Sequence, residues 1–129
     1  MRELTGHKVN GVNDGLNITV VDEPGSGGAN HQYQIAWPLS DSEPTAYPEQ
    51  YDRVDICFQN GPIKEVGTNG VTHEVLLEII KDRLIGFQSG PFACADNAKA
   101  LDHIMAAQEC LLNRTKVRAA RGVEGTHTV

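Results

Sequence analysis

Leu111-Leu112-Asn113-Arg114-Thr115-Lys116-Val117-Arg118-Ala119-Ala120-Arg121-Gly122-Val123-Glu124-Gly125 ends a segment, Ala95 to Thr126, on which the rest of the chain depends. It reads as the back half of a long helix. Leu101, Ile104, Met105, Gln108, Leu111, Leu112 and Thr115 recur at steps of three and four, giving one continuous face. Gly122 is the expected stop, because glycine takes the left-handed conformation just past a helix at no steric cost. A second row runs Cys110, Arg114, Arg118, with Arg121 a turn further on. These arginines have two readings. They complement the negative end of the helix dipole, at about 0.3–1 kcal/mol each, or their guanidiniums fork onto phosphate oxygens.

Working upstream, Thr72 is suited to cap a helix whose apolar stripe is Val75, Leu76, Ile79, Ile80, Leu84 and Phe87 and which frays between Gly86 and Pro91. A connection as short as Gln88-Ser89-Gly90-Pro91 makes the two helices an antiparallel hairpin. Residues 1 to about 70 have a different texture, rich in Gly, Pro, Asn and β-branched residues. Leu16 to Asp22, His31 to Trp37 and Val54 to Asn60 alternate as strands, with His7 to Asn10 and Ile63 to Val66 as shorter candidates. Pro24 to Asn30 is a loop, and 38–51 is a polar, proline-marked excursion. The expected fold is α+β: a single domain over 1–129, with a small N-terminal antiparallel sheet (1–70), a C-terminal two-helix antiparallel hairpin (72–122) and a tail (123–129).

The chain has 129 residues, 40% hydrophobic but only 5% aromatic, so its core is small and aliphatic. A short chain with a long helix gains apolar burial by pairing, so a dimer or higher oligomer is expected. A net charge of −6 argues against long nucleic acid or an anionic membrane as partner. Yet four of the eleven cations, Arg114, Lys116, Arg118 and Arg121, fall within eight residues. A local basic site in an acidic protein suits a small anionic ligand.

Cys57, Cys94 and Cys110 are odd in number and widely spaced, and the start of the chain has no leader pattern. Reduced thiols in a cytoplasm are expected. The five histidines make no metal-ligand spacing, so no metal is expected. Gly25 to Gly28 lacks the Lys-Ser/Thr of a phosphate-binding loop and joins two strands. No nucleophile motif or carboxylate pair stands out, so no catalytic residue and no cofactor are expected.

Phe87, Asn97, Arg114 and Arg118 are the candidate ligand residues. Asn97 and Arg114 are 17 residues apart, roughly 25 Å along a helix, so all four share a site only between two copies. Phe87 as core packing, and Asn97 as a first-turn hydrogen-bond former, are the alternatives.

Phe58-Gln59-Asn60-Gly61-Pro62-Ile63-Lys64-Glu65-Val66-Gly67, Gly86 to Phe92, Asp96-Asn97-Ala98, Arg114 to Arg118 and Arg121 to Thr126 resemble the phage anti-Thoeris sponge proteins. The likeness covers Phe58 onward and departs at Ala95, where a charged residue is expected. Its helical hairpin is similar to that of the anti-CBASS sponges, which hold cyclic oligonucleotides. The resemblance implies sequestration of glycocyclic ADP-ribose without cleavage, by homodimers or hexamers in the host bacterial cytoplasm, and so blockade of Thoeris immunity. It implies a ligand pocket of Phe87, Asn97, Arg114 and Arg118, and a second site for cyclic trinucleotides at Arg121, Gly122, Gly125 and Thr126. The alternatives are a sponge mainly for cyclic oligonucleotides, an enzyme that hydrolyses the nucleotide, and a structural phage protein with no ligand.

Overall fold

A computed structural model describes residues 1–9, 11–38 and 51–129. The chain divides into two compact units, Met1–Gly61 and Pro62–Val129.

The first unit is a four-stranded antiparallel meander in sequence order: β1 (Arg2–Leu4), β2 (Asn17–Val20), β3 (Gln32–Pro38) and β4 (Tyr51–Cys57). Register follows from the alternation. Val20 lies opposite both Arg2 and Tyr33, Ile18 opposite Ile35, and Tyr33 and Ile35 opposite Ile56 and Val54. Paired residues share a face. Leu4, Ile18, Val20, Tyr33, Ile35, Trp37, Val54 and Ile56 therefore line one side, and Glu3, Thr19, Gln34, Arg53 and Asp55 the other. Phe58 closes edge-to-face on Tyr33, with ring centroids 5.6 Å apart. Val20, 1% exposed, is the only fully buried hydrophobic side chain among the described residues.

The glycine-rich loop joins β2 to β3, as the sequence implies. Asp22 accepts the His31 backbone N–H at 2.9 Å, while Asn30 Nδ2 donates to the Asp22 carbonyl at 2.7 Å. Gly25 lies so close to His31 Nδ1 and Asn60 Oδ1 that a side chain there would come within 3.1–3.2 Å of both. Burial tends to raise the Asp22 pKa, but the backbone N–H donors of His31 and Gln32 outweigh it and hold it below the ordinary carboxylate value.

Two short-strand expectations are corrected. The first strand is Arg2–Leu4 rather than His7 to Asn10; in the latter stretch Val9 only bridges to Val12 across a turn, and Asn10 lies outside the described residues. Ile63–Val66 is a single helical turn, α1, because Gly61 (φ 92°) and Pro62 turn the chain and Gly67 N–H returns to the Ile63 carbonyl. Of the excursion read at 38–51, residues 39–50 lie outside the described residues.

The second unit adds α2 (His73–Gln88) and α3 (Ala95–Ala120), which pack side by side as a hairpin. Thr72 caps α2 by accepting the Val75 N–H at 3.4 Å. The helix runs on to Gln88, two residues past the glycine at which the sequence suggests fraying. Cys94 caps α3 through its sulfur, and seven alanines with no internal Gly or Pro carry the helix for 26 residues. Where α3 meets α2, its half-buried residues include Leu101, Ile104, Gln108, Leu111 and Thr115, the alternating steps of three and four of a packed helix seam. Met105 and Leu112, read as part of the same face, instead stand 46% and 52% exposed. The apolar face is therefore two stripes, only one of which is covered within the hairpin.

Glu78 ties the helices together. It accepts from Lys81 Nζ at 3.0 Å and from Gln108 Nε2, across the seam, at 2.8 Å. The Lys81 bond first, then Gln108, lowers its pKa below the usual 4.5, against a smaller opposing effect of burial. A depressed folded pKa contributes stability that is present above the unfolded value and lost as pH falls through the folded one. Thermal melts should therefore find the parent more stable than Glu78→Gln at about pH 7, the gap closing as pH falls below about 4. A gap independent of pH would show that the charge is not what binds the pair.

Candidate functional site

The hairpin has two ends, and the four expected ligand residues divide between them. At the tip, the Gln88 side chain makes a two-way clamp on Cys94: Nε2 donates to its carbonyl at 3.1 Å and Oε1 accepts its N–H at 3.0 Å. Ser89 Oγ donates to the Ile85 carbonyl at 2.8 Å. This clamp holds Phe87, just before Gln88, and Asn97, one turn into α3, at the same end of the unit. Phe87 is 44% exposed, so its own chain covers only part of the ring. The Arg83 guanidinium carbon lies 5.8 Å from its ring centroid, a cation–π distance. Asn97 is half-buried, with its backbone N–H donated to the Cys94 sulfur. Phe92, 74% exposed, adds a second aromatic ring to the tip. Nothing in the residue pattern singled it out, since an aromatic after Gly-Pro reads equally well as a buried anchor.

At the other end lie Arg114 and Arg118. Arg114 is exposed and, among the described residues, makes no hydrogen bond or ion pair. Arg118 is different. Successive fourth residues creep around a 3.6-residue helix, so Arg118 has left the outer row of Cys110 and Arg114 and reached the edge of the seam. Its side chain is only 13% exposed. Nε donates to Glu124 Oε2 at 3.2 Å, and Nη2 donates to the carbonyls of Val123 (2.9 Å) and Thr126 (3.2 Å).

The chain is folded back to make these contacts. Gly122, at φ 73°, ends α3 as expected: its N–H returns to Ala119 and that of Val123 to Arg118, the paired bonds of a glycine-terminated helix. Residues 123–127 then lie along α1. Lys64 N–H donates to the Gly125 carbonyl at 3.1 Å, and His127 Nδ1 stands 2.6 Å from Glu65 Oε2. A Cβ on Gly125 would lie 2.9 Å from Lys64 Cγ. Together with its φ of 76°, this makes position 125 a glycine position. Thr126 Oγ1 donates to the Val123 carbonyl, and Arg121 Nη2 to that of Val129. Arg121, Gly122, Gly125 and Thr126 thus belong to one ordered turn.

Asn97 and Arg114 lie on the unbroken α3 helix, roughly 25 Å apart at 1.5 Å per residue. One chain therefore gathers an aromatic and amide pair at its tip and a free cation beside a clasped one at its base. Among the described residues there is no cluster of His, Cys, Asp and Glu that could hold a metal ion. No helix among them is long and apolar enough to cross a membrane.

A family model described as the Acb2/Tad1 hairpin domain matches residues 50–114, half of the chain. The protein belongs to this family, and the likeness to anti-Thoeris sponges read in the sequence is shown. Thoeris anti-defense 1 of Bacillus phage SBSphiJ7 is 46% identical over 72 residues, 56% of this chain and 51% of that protein. The chain thus spans about half the length of the curated relative it matches.

Proposed function

We propose that this protein is a phage anti-defence sponge. It binds a cyclic ADP-ribose-type immune signal, glycocyclic ADP-ribose, and holds it without cleavage in the host bacterial cytoplasm, so blocking Thoeris immunity. The observation that carries this reading is the 46% identity to a protein named for Thoeris anti-defence, over a segment more than half of this chain. The pocket lies between two antiparallel hairpins, where the Phe87 and Asn97 of one copy meet the Arg114 and Arg118 of the other. The geometry of the hairpin supports this arrangement, since Phe87 and Asn97 lie at one end and Arg114 and Arg118 at the other. An adenine stacks on Phe87, worth about 1–3 kcal/mol by analogy with base stacking. Asn97 bonds a base edge or sugar hydroxyl. Arg114 and Arg118 take the pyrophosphate. A cyclic trinucleotide at Arg121, Gly122, Gly125 and Thr126 is the second site of this reading.

The test is a thermal-shift panel of cyclic ADP-ribose isomers, cyclic dinucleotides and cyclic trinucleotides, run on the parent and on Phe87→Ala. Glycocyclic ADP-ribose at 100 times its dissociation constant should stabilise the parent by about 2.7 kcal/mol, and heating should return it intact. Phe87→Ala should fold and bind about 5- to 150-fold more weakly. Preference for cyclic oligonucleotides alone would favour an anti-CBASS sponge, a cleaved product an enzyme, and no shift with any ligand a structural role.

A further inference from the structure

Resting on that reading of Arg118 as a phosphate ligand, we propose that Glu124 is a resident counter-anion occupying the grip, which a phosphate must displace. Of a guanidinium's edges, the one formed by Nε and the neighbouring Nη2 presents two parallel N–H donors, the geometry that matches two oxygens of a phosphate. In Arg118 this edge is filled from within the chain, by Glu124 Oε2 at 3.2 Å and by the carbonyls of Val123 and Thr126 at 2.9 and 3.2 Å. Only Nη1 makes no hydrogen bond among the described residues. An incoming phosphate cannot reach Nε while the carboxylate stays, and two anions at about 3 Å repel; with the carbonyls still on Nη2, what the phosphate gains is the Nε–H bond. Glu124, 37% exposed at the rim of a side chain that is 13% exposed, is the contact that can leave. The two carbonyls belong to a turn anchored separately by Gly122, by Lys64 on Gly125 and by His127 on Glu65.

Glu124 is in this sense a specificity residue. A ligand gains Arg118 only if its anion bonds a guanidinium better than a carboxylate already in place. Multiply charged phosphates meet that condition; neutral ligands and single carboxylates do not. Arg114, with no such occupant, accepts any anion.

The test uses the full-length protein, inorganic pyrophosphate and nitrogen NMR of the arginine side chains. Glu124→Gln keeps the shape and an acceptor oxygen but removes the charge. It should bind pyrophosphate about three- to tenfold more tightly than the parent. In the parent, pyrophosphate should shift the Arg118 Nε signal and speed amide exchange around Glu124. Acetate should shift Arg114 and leave Arg118 where it was. Equal or weaker binding by folded Glu124→Gln, or an Arg118 signal that ignores pyrophosphate while Arg114 responds, overturns the displacement and leaves the sponge reading standing. If neither form binds pyrophosphate at millimolar concentration, the phosphate grip and the displacement fall together.

Discussion

Arg114→Ala should abolish most of the ligand affinity while leaving the fold untouched. Arg114 is exposed on α3 and pairs with nothing among the described residues, so its truncation removes no contact. Arginine and alanine both suit a helix interior, and surface changes of this kind fall within about 0.5 kcal/mol. The loss of a charge-assisted bond to a pyrophosphate is worth about 1.5–3 kcal/mol, roughly 10- to 150-fold in affinity. If the cation serves only the helix dipole, stability falls by at most about 1 kcal/mol and affinity does not move. Calorimetry beside thermal melts separates the two. Arg118 cannot be tested so cleanly. Its replacement would also release Glu124, Val123 and Thr126, so a loss of binding there would not distinguish grip from clasp.

The larger effect is expected in assembly. Neither long helix has a fully buried residue, and Val75, Ile79, Met105 and Leu112 stand 46–55% exposed. Water is a poor solvent for such a surface, and a second hairpin would cover it. Half-exposed side chains gain about half of the roughly 1.5–3 kcal/mol of full burial. In a two-fold pair each residue counts twice. Changing Met105 and Leu112 together to glutamate should therefore cost on the order of 3–6 kcal/mol of association, roughly two to four decades in dissociation constant. Light scattering at micromolar concentration should show the parent at twice 14.0 kDa or more and the double variant as single chains. Affinity for glycocyclic ADP-ribose should fall with it. A parent that scatters as one chain would remove the shared pocket.

The hairpin was legible because its signals are local. Thr72, Gly122 and the three-and-four periodicity each act within a few residues, and the capping and termination they imply are present. The meander was legible for the same reason, since alternation and the Gly25 to Gly28 loop pair neighbouring strands. Two short elements of three or four residues were harder: in the strand Arg2–Leu4 and the helical turn Ile63–Val66 too few residues alternate to tell strand from turn. The division of the α3 face was illegible in principle, because periodicity marks which residues are apolar, not which of two neighbours covers them. The Arg118 contacts were hidden for another reason. Glu124 lies six positions on, out of helical reach, and meets the guanidinium only because Gly122 reverses the chain. Of the candidate site, the sequence could therefore show that Asn97 and Arg114 are too far apart to meet, but not that one arginine is free and the other engaged.

Every strand of the sheet pairs with the one before it, and the two long helices meet across a six-residue connection. Contacts of this kind close short loops and form quickly. In the proposed pair, the slow, concentration-dependent event is then the meeting of two chains. If each pocket needs two copies, the number of pockets at low abundance rises with the square of the number of chains. Doubling synthesis in the dilute regime would quadruple the amount of signal that can be held, and capacity becomes proportional to protein only once pairing is complete. The dose–response of such an inhibitor has a threshold set by the apolar stripe on α3, not by the chemistry of the pocket.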